Sequence, residues 1–454
     1  MADRRLGSLQ RATGRAALAA AIFLAAVVSQ EALYATVLQP KATNATGYAT
    51  SQALGLLHGR GLTVRQAESR ELIALPADAD ALTLYDPAAP RDPAQEPLPG
   101  TPLLFAAVAF VLGALRMSTI VHLQILLHGA CSVWLFLELR HRSLLAAALA
   151  GLGWAICVPQ FRSTLTPGYD SLTSVVYIAA AVGLLRHLRT GSLGGLLVAS
   201  VACGLGLWVR SYLFVLPVLL AGILVWPARA GWARVALFVL PCLLLGGALS
   251  FVRAPESGAS SRLTRGGVWH SFWAGVGQFE NDRGVSDLDE SVQAFAGRLA
   301  PDQDFRVPNY QYLPAYDATL RAEGLRFVRD EWPRLVRNAL ERSVWLVFPS
   351  FAPSRTFSQG AMRAAVIALG VPVSLAAFAG LWLWWRRDPA GALVLAAPLV
   401  SLAPLAPFYF IAKVPTSTYF VQLAFAGFAV AALSERLLRR ETPPSAPAGT
   451  SSSS

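Results

Sequence analysis

Asp170 lies in TPGYDSL, a short polar turn before an apolar run, where partial desolvation raises the basicity of a carboxylate. Such a group can take a proton from a hydroxyl, or it can cap a helix opening at Ser171. Arg210, in GLGLWVRSYLFVLP, stands at the end of another apolar run and offers a planar fork that suits phosphate oxygens. It equally suits an interfacial anchor. Glu31 falls near the end of the first apolar run, where an ionisable group is costly and either marks function or reaches the interface. Trp269 and His270 open the second polar stretch; a ring beside an imidazole can stack on a sugar and bond its hydroxyls, or serve as an interfacial aromatic and a structural histidine. Lys413, in IAKVPTSTYF, is a second candidate cation or a snorkelling side chain.

Other chemistry-bearing residues read more plainly. Glu68, Glu71, Asp78 and Asp86 are expected on a solvated surface. The acidic run Glu280, Asp282, Asp287, Asp289 and Glu290 lacks the glycine and spacing of a calcium loop and reads as a solvated turn. Cys131, Cys157, Cys203 and Cys242 all fall inside apolar runs, where a thiol behaves as a small hydrophobe. Asn44-Ala45-Thr46 fits a glycosylation sequon, which the Ala/Leu/Arg-rich, bacterial-looking composition makes irrelevant. No cofactor is expected and no metal ligand set is assigned, although a divalent metal stays compatible with the acids present.

The elements that position these residues belong to a membrane protein. A chain of 454 residues with 54% hydrophobic and 14% charged residues is too apolar for a soluble domain, whose charged share is nearer a quarter. The net charge of +11 therefore does not point to nucleic acid, because the arginines cluster at the ends of apolar runs. About ten runs are long enough to span a bilayer: 16–38, 118–139, 144–160, 171–188, 193–209, 212–227, 235–252, 361–384, 391–410 and 419–434. The run 101–115 is short for a span and reads as a juxtamembrane or re-entrant helix. Under that count Arg140/Arg142, Arg186/Arg189, Arg229/Arg234, Arg386/Arg387 and Arg436/Arg439/Arg440 all share the N-terminal side. The positive-inside rule puts that side, with both termini, in the cytoplasm. Two polar lengths then face outward, a first loop over 39–117 and a second over 253–360. The first opens with helical pattern in which Tyr48, Leu54, Leu57 and Leu62 line one side, ending at Gly59 or Gly61. The second ends in a helical pattern over 317–347. The chain divides into a membrane module over 1–252, the second loop, C-terminal membrane helices over 361–440, and a Pro/Ser-rich tail over 441–454 expected to be disordered. A transporter would show polar residues in mid-span or paired broken helices, and few of either are visible.

The order of the pieces resembles the GT-C superfamily of polytopic glycosyltransferases, which includes protein O-mannosyltransferases and the aminoarabinose transferases of lipid A. The matching pieces are NATGYATSQALGLLHGRGL, PLPGTPLLFAAVAFVLG, TPGYDSL, GLGLWVRSYLFVLP and the loop opening VWHSFWAGVGQFENDRG. The resemblance implies an all-α membrane fold at a bacterial inner membrane, transferring a sugar from a polyprenyl-phosphate carrier to a lipid or glycan acceptor outside the cytoplasm. It further implies that Tyr48 belongs to the first-loop site and that Asp170 matches a second outer-turn acid. Arg210 takes the place of the family's phosphate-side arginine, with Ser211 where a proline is usual. The family's first-loop acid lies four residues before the tyrosine, a place held here by Asn44, whose amide bonds a hydroxyl without accepting its proton. That substitution leaves two readings, an enzyme relying on Asp170 or a degenerate member that binds a lipid-linked sugar or an assembly partner.

Overall fold

The computed structural model describes residues 2–36, 43–93, 99–228, 230–252, 268–305, 313–348, 360–406 and 416–441. It is almost wholly helical. The first helix, α1 (Ala2–Thr36), leads to a loop region built from α2 (Asn44–Leu57), strand β1 (Thr63–Val64), α3 (Gln66–Ala74), strand β2 (Asp92–Pro93) and α4 (Gly100–Leu112). The two strands pair antiparallel, Thr63 opposite Pro93. The membrane helices α5 (Met117–Leu139), α6 (Leu144–Ala155), α7 (Val158–Leu165), α8 (Tyr169–Thr190), α9 (Leu193–Val209), α10 (Val215–Val225) and α11 (Trp232–Val252) follow. The second loop holds α12 (Val268–Val276), α13 (Asp289–Leu299), α14 (Pro314–Asp330) and α15 (Trp332–Val347). The chain then returns to the bundle with α16 (Gly360–Trp385), α17 (Pro389–Val400) and α18 (Tyr419–Glu441).

By length and apolarity, α1, α5, α8, α16 and α18 each contain a segment able to cross a membrane. The pair α6 and α7, bent by 48°, makes a sixth when counted as one broken span, and four shorter apolar helices match the remaining expected spans. A total of ten rests on counting those shorter helices. The expected juxtamembrane helix is α4, closed at Gly113 in the left-handed conformation that a residue without Cβ adopts freely. The single helical pattern expected over 317–347 divides at Glu331, because Pro333 has no N–H to continue a ladder and instead opens α15. The expected tail, from residue 442 on, lies outside the described residues.

Close backbone packing ties the helices that matter most here. A Cβ on Gly183 of α8 would lie 2.8 Å from the carbonyl oxygen of Gly195 in α9, and one on Gly206 would lie 2.9 Å from a methyl of Val176. Only glycine allows that approach. At one end of the bundle, Arg189 grips Glu138 with two hydrogen bonds of 2.8 and 3.0 Å, and Arg142 pairs with Asp388 while stacking on Trp384 at 4.4 Å. The basic connectors thus double as clasps between helix ends. Both polar loops join the bundle at the opposite end, called here the loop end.

The first loop corrects one expectation. Glu68 is buried, with its carboxylate bonded to Arg91 at 2.6 Å and to the Ser51 hydroxyl at 2.7 Å. Arg91 also donates to the Ser51 carbonyl at 2.6 Å and to Thr63 at 3.0 Å. A charge can be buried when it is paired and fully bonded in this way, and its partner sits 23 residues on, where no local pattern reveals it. The second loop has a core of its own around Phe272, Trp273, Phe295, Tyr316 and Phe327.

Candidate active site at the loop end

The antiparallel contact of α8 and α9, sealed by Gly183 and Gly206, makes Asp170 and Arg210 its last rung. Gly168 occupies the N-cap of α8, so Asp170 lies inside the first turn and is not the cap. A carboxylate there is favoured by the helix dipole. Arg210 ends α9 in extended backbone, and its guanidinium pairs with Asp170 while lying over the Tyr169 ring at 3.7 Å. Burial works against the charge, but Tyr169, Asp170 and Tyr212 outweigh it and raise the Arg210 pKa above its ordinary value. The cation is therefore permanent. Its buried Nε has no hydrogen-bond partner among the described residues, which leaves a donor for a ligand.

The turn before Asp170 is held from two sides. From α5, the Gln124 amide donates to the Thr166 carbonyl at 3.3 Å, bonds the Ser171 hydroxyl, and accepts from the Gly168 N–H at 3.3 Å. From α2, Thr46 donates to the Pro167 carbonyl at 2.7 Å. Thr46 also completes a capping box with Thr43 at the start of α2, so one threonine both sets the helix and docks it. The first turn of α4 closes against the end of α9, where a Cβ on Gly100 would meet the Trp208 carbonyl at 2.7 Å. The ends of α2 and α4 thus dock beside the ends of α8 and α9 that carry Asp170 and Arg210.

Beneath the turn, α6 stops short and α7 leaves at an angle, opening a small cavity lined by Gln124, His128, Gln160, Thr164, Ser171 and Ser174. Sequence reading missed this polar set, although Gln124, His128 and Ser132 recur every four residues along α5. Arg342 of α15 was missed as well. It is buried and donates to the carbonyls of Ala406 at 3.0 Å and Gly275, and to the Gln278 amide oxygen at 3.0 Å. Burial pushes its guanidinium down to about 10, still cationic at neutral pH. This one side chain ties the second loop to the turn that follows α17.

The other expected residues scatter. Glu31 bonds His122 Nδ1 at 2.7 Å near the loop ends of α1 and α5, a further ionisable pair in the bundle. Tyr48 is half-buried on α2. Asn44 opens that helix, with a side chain outside the described set. Trp269 packs against Phe272 and Gly324. His270 bonds the Tyr316 hydroxyl at 2.8 Å and Asp289 at 3.0 Å, and these contacts stay within the second loop. That hydrogen bond holds the Asp289 carboxyl below its ordinary pKa, against partial burial. Asp289, expected in a solvated turn, is thus partnered. Lys413 lies outside the described residues. Among the described residues no group of three His, Cys, Asp or Glu side chains could hold a metal ion.

No family model and no curated protein matches the sequence. Among solved structures, the chain is similar to the apo oligosaccharyltransferase of Archaeoglobus fulgidus, with a TM-score of 0.50 and 10% identity over 93% of this chain and 51% of that one. The ArnT of Cupriavidus metallidurans also matches, with 15% identity over 96% of this chain and 82% of that one, at TM-scores of 0.37 in the apo state and 0.36 bound to undecaprenyl phosphate. The chain spans about half the length of the oligosaccharyltransferase. At such identity the likeness is one of fold alone, a membrane helical fold shared with that oligosaccharyltransferase.

Proposed function

We propose that this chain is a membrane glycosyltransferase that moves a sugar from a polyprenyl-phosphate donor to a lipid or glycan acceptor outside the cytoplasm. The observation that carries the reading is the Asp170–Arg210 pair at the loop end, with Arg210 keeping a buried, unpartnered Nε–H. In the resting state the guanidinium is paired with Asp170 through its terminal nitrogen. A donor phosphodiester, whose two non-bridging oxygens share one negative charge, competes with Asp170 for the guanidinium and can grip it in a bidentate fork. Asp170 is then released to accept the acceptor's hydroxyl proton. The acceptor oxygen attacks the anomeric carbon, the carbon–oxygen bond to phosphate breaks, and polyprenyl phosphate departs with the electron pair beside Arg210. The fold shared with a solved oligosaccharyltransferase is compatible with this use.

In this reading Glu31 with His122 lines the acceptor's approach, Tyr48 borders the site from α2, and Lys413 supplies a second phosphate contact. Trp269 and His270 are assigned to the packing of the second loop, given their contacts to Gly324, Tyr316 and Asp289. Asn44 favours a second reading, a binder on the same fold, because an amide stands where related chains carry an acid. Transfer assays on purified wild type, Asp170→Asn and Asn44→Asp, using a panel of polyprenyl-phosphate sugars, decide between them. Wild-type transfer lost in Asp170→Asn supports the enzyme. Transfer gained only by Asn44→Asp supports the binder.

A further inference from the structure

Helix α15 divides sharply into two faces. Asn338, Arg342 and Leu346 are buried, whereas Trp332, Val336, Leu340 and Val344 are 47–63% exposed. At about 100° per residue, these four positions fall within an arc of about 120° that also includes Pro333. Arg337 borders the arc and bonds Glu341 at 3.3 Å. Such a stripe is costly in water.

The depth of the helix identifies what covers the stripe. At its C-terminal end, the Val347 carbonyl accepts a hydrogen bond of 2.8 Å from Gln422, and the Phe348 ring lies 6.1 Å from that of Phe378. Gln422 and Phe378 belong to Tyr419–Leu438 and Ile367–Trp385, two segments long and apolar enough to cross a membrane. The stripe therefore ends at the level of membrane-crossing helices. From Val344 back to Trp332 the helix rises about 18 Å, enough to pass from the acyl region to the headgroups. An exposed tryptophan at the far end suits that boundary, and an arginine at the edge can reach the phosphates.

We propose that α15 is a membrane anchor whose Trp332, Val336, Leu340 and Val344 stripe is immersed in the leaflet at the loop end, seating the second loop on lipid. The proposal concerns a lipid surface and does not depend on the glycosyl-transfer reading. The test uses the full chain in nanodiscs, with single cysteines at Val336, Leu340 and Glu341 carrying a small fluorophore; the four native cysteines are buried and do not compete for label. Brominated acyl chains in the disc are expected to quench positions 336 and 340 at least about twofold more than 341, while aqueous iodide shows the reverse order. Equal iodide quenching of all three positions with no bromolipid effect would place the stripe in water and overturn the proposal. Protection from both quenchers, with disulfide-linked pairs formed by unlabelled Leu340→Cys, would assign the stripe to a second copy and overturn it as well.

Discussion

Asp170 and Arg210 are 40 residues apart, and each has a structural as well as a chemical use. Their pairing separates the uses: the aspartate is not a cap, and the arginine is not held by lipid phosphate alone. Asp170→Asn keeps the size and hydrogen bonding of the side chain but removes its basicity. Transfer should fall at least about a hundredfold, the usual scale for removing a general base, with donor binding retained. An unchanged rate would show that another acid serves. Arg210→Lys keeps the charge but loses the fork, so the donor should bind more weakly by roughly 1–3 kcal/mol in a titration with a polyprenyl-phosphate sugar. Equal affinity would reduce Arg210 to a strut for Asp170. Both residues stand out in the sequence because Asp170 precedes an apolar run and Arg210 follows one. Gln124 and Thr46, which hold the intervening turn, were not, since a polar side chain inside a helix gives no sign of which carbonyl 42 or 121 residues away it will reach.

Helix boundaries were read well wherever composition changes abruptly, as at α5, α8 and the short α4. They were read poorly where a pattern runs through a proline, as between α14 and α15. The glycines of α8 and α9 showed no periodic signal, although they decide how near the two helices come. Gly183→Ala would press a methyl against the Gly195 carbonyl and the Ala199 amide, atoms that cannot rotate away. Overpacking of that kind costs about 1–3 kcal/mol, so the variant should melt at lower temperature in detergent. A wild-type melting curve would mean that the helices sit farther apart. In the second loop, the Asp289 pKa is lowered by His270, so the folded loop is favoured while the carboxylate is charged. That contribution is present above the ordinary carboxylate range and is lost as pH falls through the lowered value. The protection of α12 and α13 against hydrogen exchange, measured relative to the intrinsic rate at each pH, should fall on acidification below about pH 4. Asp289→Asn should flatten that dependence, and an identical profile in the variant would remove Asp289 from the account.

At the scale of the whole molecule, hydropathy was enough to identify a membrane fold with two polar loops at one end. The internal order of those loops was hidden, because it rests on long-range pairs such as Glu68–Arg91 and Arg342–Gln278. Orientation can be tested with cysteines at Ala89, Gly297 and Gly231, since a side chain at either glycine would meet no neighbour within 4 Å. The positive-inside rule expects the first two to react with an impermeant thiol reagent on intact cells and the third to be shielded. The opposite pattern would invert the topology and with it the compartment of the chemistry.

The glycine contacts between α8 and α9 also bear on time. Two helices whose backbones touch at Gly183 and Gly195, and which pack closely again at Gly206 against Val176, behave as one stiff lever, so the Cα atoms of Asp170 and Arg210 cannot separate without breaking that seam. Any exchange of partners at the guanidinium must then occur by torsion of side chains, a motion of picoseconds to nanoseconds, and not by the microsecond swing of a domain. Capture of the phosphate at this end of the bundle should accordingly follow the rate of encounter with the lipid carrier, with no slow conformational phase of its own.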